Sequence, residues 1–164
     1  MAQTTNSVSK ALARIEISTD LTTWVNVSGS AQSIASTEQE RNTGDEHTLD
    51  GDVPLSEGGK RNAMDIDFNI VYTEVAGEAY ELVRAAFENA NTLGAIYVRW
   101  VPKGGTSGTA AMYRTPITKA ATLKTFKYPD ADANGAGPIM GMFRVHTPQI
   151  EKTSASNTSG GSGT

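Results

Sequence analysis

The residues of this chain best suited to chemistry are carboxylates. Asp130, Asp132, Asn134 and Gly135 follow the D-x-D-x-N-G opening of a calcium loop, in which alternating oxygen ligands wrap a hard cation and glycine allows the sharp turn. The pattern stops there. The twelfth position, which needs a bidentate glutamate, is Gly141, the eighth is Gly137, and Pro129 precedes the run where a helix should end. Aspartate, asparagine and glycine are also what a tight turn requires, so the sequence predicts a hairpin loop over 129–138 and no metal. His47 and His146 have no spacing that suggests a metal pair. Gly104–Gly108 (GGTSG) lacks the lysine and the following helix of a phosphate loop, and no serine occupies a G-x-S-x-G elbow. Asp65 and Asp67, like Asp50 and Asp52, are spaced i, i+2; on a strand that spacing simply lines one solvated face. Catalysis needs a nucleophile with its base and orienting group, or a set of metal ligands. The chain offers neither, so it is expected to be no enzyme and to hold no cofactor.

Composition narrows the alternatives. At 164 residues, with 38% apolar and 20% charged residues, the chain suits one domain with a real core. Without cysteine, disulfides and thiolate metal sites are excluded. Residues 1–10 carry no apolar leader and no stretch approaches a membrane span, so a protein made in a cytoplasm is expected. A net charge of −4 argues against general nucleic-acid binding. The charges are unevenly placed: residues 1–100 hold 15 acids and 7 bases, residues 101–164 hold 3 acids and 7 bases. Two differently charged faces of one molecule would produce this. So would self-complementarity, with an acidic region of one copy meeting a basic region of the next, a heterologous contact that builds rings or filaments.

The elements that position these residues are mostly strands. Residues 13–18 and 24–28 alternate across turn chemistry at 18–20 and read as a hairpin, and 31–36 as a third short strand. Residues 64–73 give the clearest strand: Met64, Ile66, Phe68 and Ile70 on a dry face, Asp65, Asp67 and Asn69 on a polar, acidic one. The period then changes. Ala79, Tyr80, Val83, Ala86, Phe87 and Ala90 form the stripe of an amphipathic helix over about 78–91, stopped by Gly94, with Tyr80, Val83 and Phe87 as its core contacts. Strands follow at 95–101, 110–115, 121–128 and 139–147, with a flexible turn at 103–109. Trp24 and Trp100 fall in strand patterns and are expected in the core. The sum is a mainly β fold, an antiparallel sandwich or barrel of about seven or eight strands with one flanking helix. An N-terminal arm at 1–12 and a flexible tail at 151–164 frame the domain at 13–150.

One segment is too long for a plain connection. Residues 43–61, TGDEHTLDGDVPLSEGGKR, separate two strand patterns, and structureless loops above about 12–15 residues are usually functional or disordered. This one mixes carboxylates with Leu49, Val53, Pro54 and Leu55, which a bare tether does not need. It is expected to reach another surface.

The order of these features resembles a known family. I-S-T-D-x-x-x-W-x-x-V-S-G at Ile17–Gly29, T-G-D-x-x-T-L-D-G-D-x-P at Thr43–Pro54, then G-K-R and an alternating strand ending in Val71-Tyr72-Thr73 resemble the tail tube (major tail) proteins of long-tailed bacteriophages, over roughly residues 13–150. The resemblance implies a β-sandwich with one helix, related to the type VI secretion tube protein. It implies a structural virion protein made in the host cytoplasm, whose homohexameric rings stack into a tube for genome ejection. Partners would be further copies of itself, tape-measure protein and tail-tip or terminator proteins, with DNA passing through unbound. By position, 38–61 would be the inter-subunit loop, carried by Thr43, Gly44, Asp45, Glu46, Thr48, Leu49, Asp50, Gly51, Asp52, Pro54 and Leu55. Asp65, Asp67 and Asn69 would suit an acidic lumen face that repels phosphate, or are an ordinary solvent face. The alternative function is a carbohydrate-binding or adhesin module on a virion, which would need exposed clustered aromatics or a complete calcium site.

Overall fold

A computed structural model describes residues 7–105 and 110–155. Ser9 opens a short 3-10 turn at Lys10–Leu12, its hydroxyl accepting the Ala11 amide at 3.3 Å. The rest of the expected arm, residues 1–6, lies outside the described residues, as do 106–109 of the expected flexible turn.

Two antiparallel sheets enclose the core. In the first, β3 (Ala31–Ser36), β6 (Met64–Val71), β10 (Met140–Thr147) and β9 (Ala121–Lys127) lie side by side. In the second, β2 (Val25–Asn26), β1 (Arg14–Ser18), β7 (Ala95–Val101), β8 (Ala111–Arg114) and β11 (Glu151–Ser154) do so. β7 joins them: its start pairs β9 through Ala95 and Ile96, and its end pairs β8 through Arg99 and Trp100. The alternation of β6 is realised residue by residue, with Met64, Ile66, Phe68 and Ile70 buried and the residues between them partly exposed. Phe68 stacks on Phe143 of β10 at 4.5 Å between ring centres, a cross-strand pair directly opposite in register. Ile15, Ile17, Ile96, Val98, Leu123 and Val145 complete the layer between the sheets.

The helix α1 spans Ala79–Glu88 and closes the core. It is shorter than the expected 78–91. Asn89 ends it by accepting the Asn91 amide on its side chain at 3.0 Å, and the chain turns through Leu93 and Gly94 at positive φ. Ala79, Tyr80, Val83 and Ala86 are buried, Phe87 sits half-buried at the rim, and Ala90 lies beyond the helix, exposed. Gly141 is required beneath it: a Cβ there would meet the Tyr80 ring at 2.6 Å.

The mainly β, antiparallel architecture with one helix is as expected, and the described residues hold eleven strands where about seven or eight were expected. Three of the additional ones are β11, which pairs Glu151–Ser154 with β8 where a flexible tail was expected, and the two strands β4 (Arg41–Glu46) and β5 (Leu55–Arg61) inside the supposed loop. The tail beyond residue 155 is outside the described residues.

Candidate assembly surfaces

The segment expected as a loop is a two-stranded antiparallel ribbon. β4 and β5 pair Arg41 with Arg61, Thr43 with Gly58, Gly44 with Glu57, Asp45 with Ser56 and Glu46 with Leu55. A bulge between Arg41 and Thr43 absorbs one residue, and such bulges bend and twist a ribbon. At the far end Gly51 donates to the Thr48 carbonyl at 3.3 Å, and Pro54 leads into β5. The root is tied to the body. Gln39 donates to the Asn62 and Pro148 carbonyls at 3.0 and 3.2 Å, and Arg61 to Gln149 at 3.0 Å. Beyond the root every residue of both strands is exposed. The strands rise about 3.3 Å per residue, so the ribbon reaches roughly 25 Å from its root.

The composition of that projection is unusual. Between residues 45 and 57 it carries Asp45, Glu46, Asp50, Asp52 and Glu57 and no lysine or arginine. Leu49 is 109% exposed, Val53 79% and Leu55 61%. An isolated two-stranded hairpin is at best marginally stable in water, and covering each such side chain is worth about 1.5–3 kcal/mol. The ribbon therefore gains most by lying against a second surface.

The polar face of β6 is charge-paired, which corrects the expectation of an acidic one. Arg144 of β10 grips Asp67 with Nε at 2.6 Å and Nη2 at 2.9 Å. Asp65 takes Lys124 of β9 at 3.1 Å and lies 2.6 Å from Nδ1 of His146. Asn69 donates to Ser33 of β3 at 3.0 Å. Burial pushes the Asp65 carboxyl up, but His146 and Lys124 outweigh it and hold the group below its ordinary value. The alternation of 64–71 located the carboxylates. Their partners lie 59 to 81 residues away, and nothing local signals them.

Sequence inspection also missed a buried charge pair. Glu16 of β1 and Arg99 of β7 face each other in register, both almost wholly buried, with Nε 2.6 Å from Oε2. Arg14 pairs with the same carboxylate, and Trp24 covers the Arg99 guanidinium at 3.9 Å. Trp24 thus lies outside the main core, while Trp100 packs against its edge and stacks on Tyr113. The available signal was charge inside two otherwise apolar strands, Arg14 and Glu16 in ARIEIS and Arg99 in AIYVRWV. Removing Glu16 would leave Arg99 a buried charge without its carboxylate, which disfavours other registers of β1 on β7.

The remaining candidates are dispersed. Asp132 accepts the Asn134 amide at 3.0 Å in a turn, and Asp130 pairs with Lys127 at 2.7 Å. His47 is exposed at the end of the ribbon, far along the chain from His146 on the sheet. Among the described residues no group of three or more histidines and acids could hold a metal, and no helix is long and apolar enough to cross a membrane.

No protein-family model and no curated protein sequence matches the chain. Solved structures do. A chain of the PVC sheath–tube complex, an extracellular contractile injection system in its extended state, superposes with a TM-score of 0.68 at 9% identity, covering 90% of this chain and 92% of that one. The SPP1 tail tube gives 0.67 at 14% identity, covering 93% and 82%. The tail of an empty gene transfer agent particle, refined with C6 symmetry, gives 0.62 at 12% identity, covering 91% and 100%. By architecture, the chain has the fold found in the tubes of phage-type tails and contractile injection systems.

Proposed function

We propose that the protein is a structural subunit that assembles with copies of itself into a tail tube. The observation that carries this is the uncovered ribbon: five carboxylates and three exposed apolar side chains projecting from a body whose own core is complete. A ribbon of that kind is stable when a neighbour covers it, and the fold is shared with proteins solved inside assembled tubes. Six subunits per ring, stacked ring on ring, is the arrangement we favour, since the gene transfer agent tail with this fold has C6 symmetry. Closing a ring also removes exposed strand edges such as that of β3.

The face carrying Asp65, Asp67 and Asn69 is proposed to line the channel. Its carboxylates are held by Arg144, Lys124 and His146, so a passing duplex would meet paired charges rather than a basic track, and would slide without being gripped. The tube is proposed to be a virion component made in the host cytoplasm, with tape-measure and tip or terminator proteins as partners and no catalytic role.

Negative-stain microscopy of the concentrated protein, alone and with the tail-tip initiator, tests the proposal. Tubes or sixfold rings are expected. Monomers under both conditions, together with clear hits on a glycan array, would overturn it in favour of a carbohydrate-binding module.

A further inference from the structure

The ion pairs inside the chain leave charges of both signs unmatched among the described residues. Most bases of the second half are matched: Arg114 with Glu151, Lys124 with Asp65, Lys127 with Asp130 and Arg144 with Asp67. Lys103, Lys119 and Lys152 are exposed and make no ion pair among the described residues. On the acidic side, the five carboxylates of the ribbon make none either. Asp20, Glu38, Glu40, Glu74, Glu78 and Asp132 make no ion pair either, but only the ribbon gathers five such acids between residues 45 and 57 with no lysine or arginine among them.

Two of those lysines flank an open trough of mixed apolar and polar lining, where the free edge of β3 stands off from the second sheet. One half, about 610 Å³, is lined by Ile15, Ile34, Trp100 and Pro102, with Gln32 and Ser33 beside them. The other, about 430 Å³, shares Trp100 and opens between Met64, Tyr113 and Ile150, with Lys152 on its wall. Lys103 follows Pro102 and lines an adjoining hollow with Tyr113.

Resting on the tube proposal, we infer that this trough receives the ribbon tip of a second copy. Leu49, Val53 and Leu55 match the apolar part of its lining, and Asp50 and Asp52 match the lysines at its rim. The chain's own ribbon does not fill it: the ribbon is rooted at Gln39, on the trough wall, and its strands are exposed throughout. Donor and acceptor are therefore different surfaces of one chain. Such a contact is heterologous and propagates from copy to copy, with charge fixing the register.

The absence of native cysteine makes the test specific. Leu49→Cys protein is assembled with Gln32→Cys or Ser36→Cys protein, one position from each half of the trough, and oxidised. A disulfide requires Cα atoms within about 7 Å, so a linked dimer is expected from at least one pair. None is expected with Ala85→Cys, exposed on α1. The reversals Lys103→Glu and Lys152→Glu together should cut the linked yield on the order of tenfold, and Asp50→Lys with Asp52→Lys should restore it. If the parent protein does not assemble either alone or with the tail-tip initiator, the tube proposal and the trough fall together. If tubes form but neither trough position links to Leu49, the trough is overturned and the tube stands. A link that ignores the charge reversals keeps the trough and removes the lysines from the contact.

Discussion

β5 and β6 follow one another with only Asn62 and Ala63 between them, yet they solve opposite problems. β6 alternates buried and half-buried residues and sits between two partner strands. β5 has every residue exposed and a single partner. Each is a strand because its backbone is paired, but only β6 is buried by what this chain supplies. The difference separates a body with its own core from an element that, on the proposed function, another copy completes.

The sharpest way to break the comparison is to delete Asp45–Gly58. Assembly should be abolished outright, while circular dichroism and the melting temperature of the body stay close to the parent's. Normal tubes from the deletion would refute the role given to the ribbon. On the body's side, Tyr80→Ala should cost about 3–5 kcal/mol in denaturant unfolding, because it empties a fully buried site against Gly141 and Phe126. Phe87→Ala, at the half-buried rim, should cost about 1–2.5 kcal/mol. Equal losses would mean that α1 is not seated as described. Leu49→Asp should change the body's stability by less than about 0.5 kcal/mol yet impair assembly; a large loss of stability would place Leu49 in the core.

The smallest effect expected is on acid stability. Asp65 has a folded-state pKa below its ordinary value, so it contributes stability that is present above the unfolded value, about 4, and is lost as pH falls toward the folded one. Asp65→Asn should therefore flatten the stability profile on the acid side and leave it unchanged near neutrality apart from a constant offset. A profile as steep as the parent's would deny the coupling to His146 and Lys124.

The comparison also explains what the sequence could disclose. Burial inside one chain writes a period, so the 64–71 strand and the Ala79–Ala86 stripe were legible, as were the strands at 95–101, 121–127 and 140–147. The ribbon wrote no period because neither of its faces is covered by this chain, and LSEGGKR has little strand character of its own. It was nonetheless recognisable as anomalous by its length and by apolar residues among acids. Glu16 with Arg99, and Asp67 with Arg144, depend on register between distant strands, which no local pattern encodes. β11 was missed for a related reason: Glu151–Ser154 is wholly polar and has no apolar alternation, and pairing with β8 makes it a strand. The end of α1 was misplaced because Asn89 caps it before the apolar stripe runs out.

The central claim is that residues 41–61 are completed by another copy of the chain. Amide hydrogen exchange, followed on the same protein before and after assembly, tests it directly. Ribbon amides facing away from the β4–β5 ladder should exchange rapidly in the free subunit and become protected in the assembly, while β6 and β10 are protected in both. Assembled protein whose ribbon still exchanges as fast as in the free subunit would contradict the account.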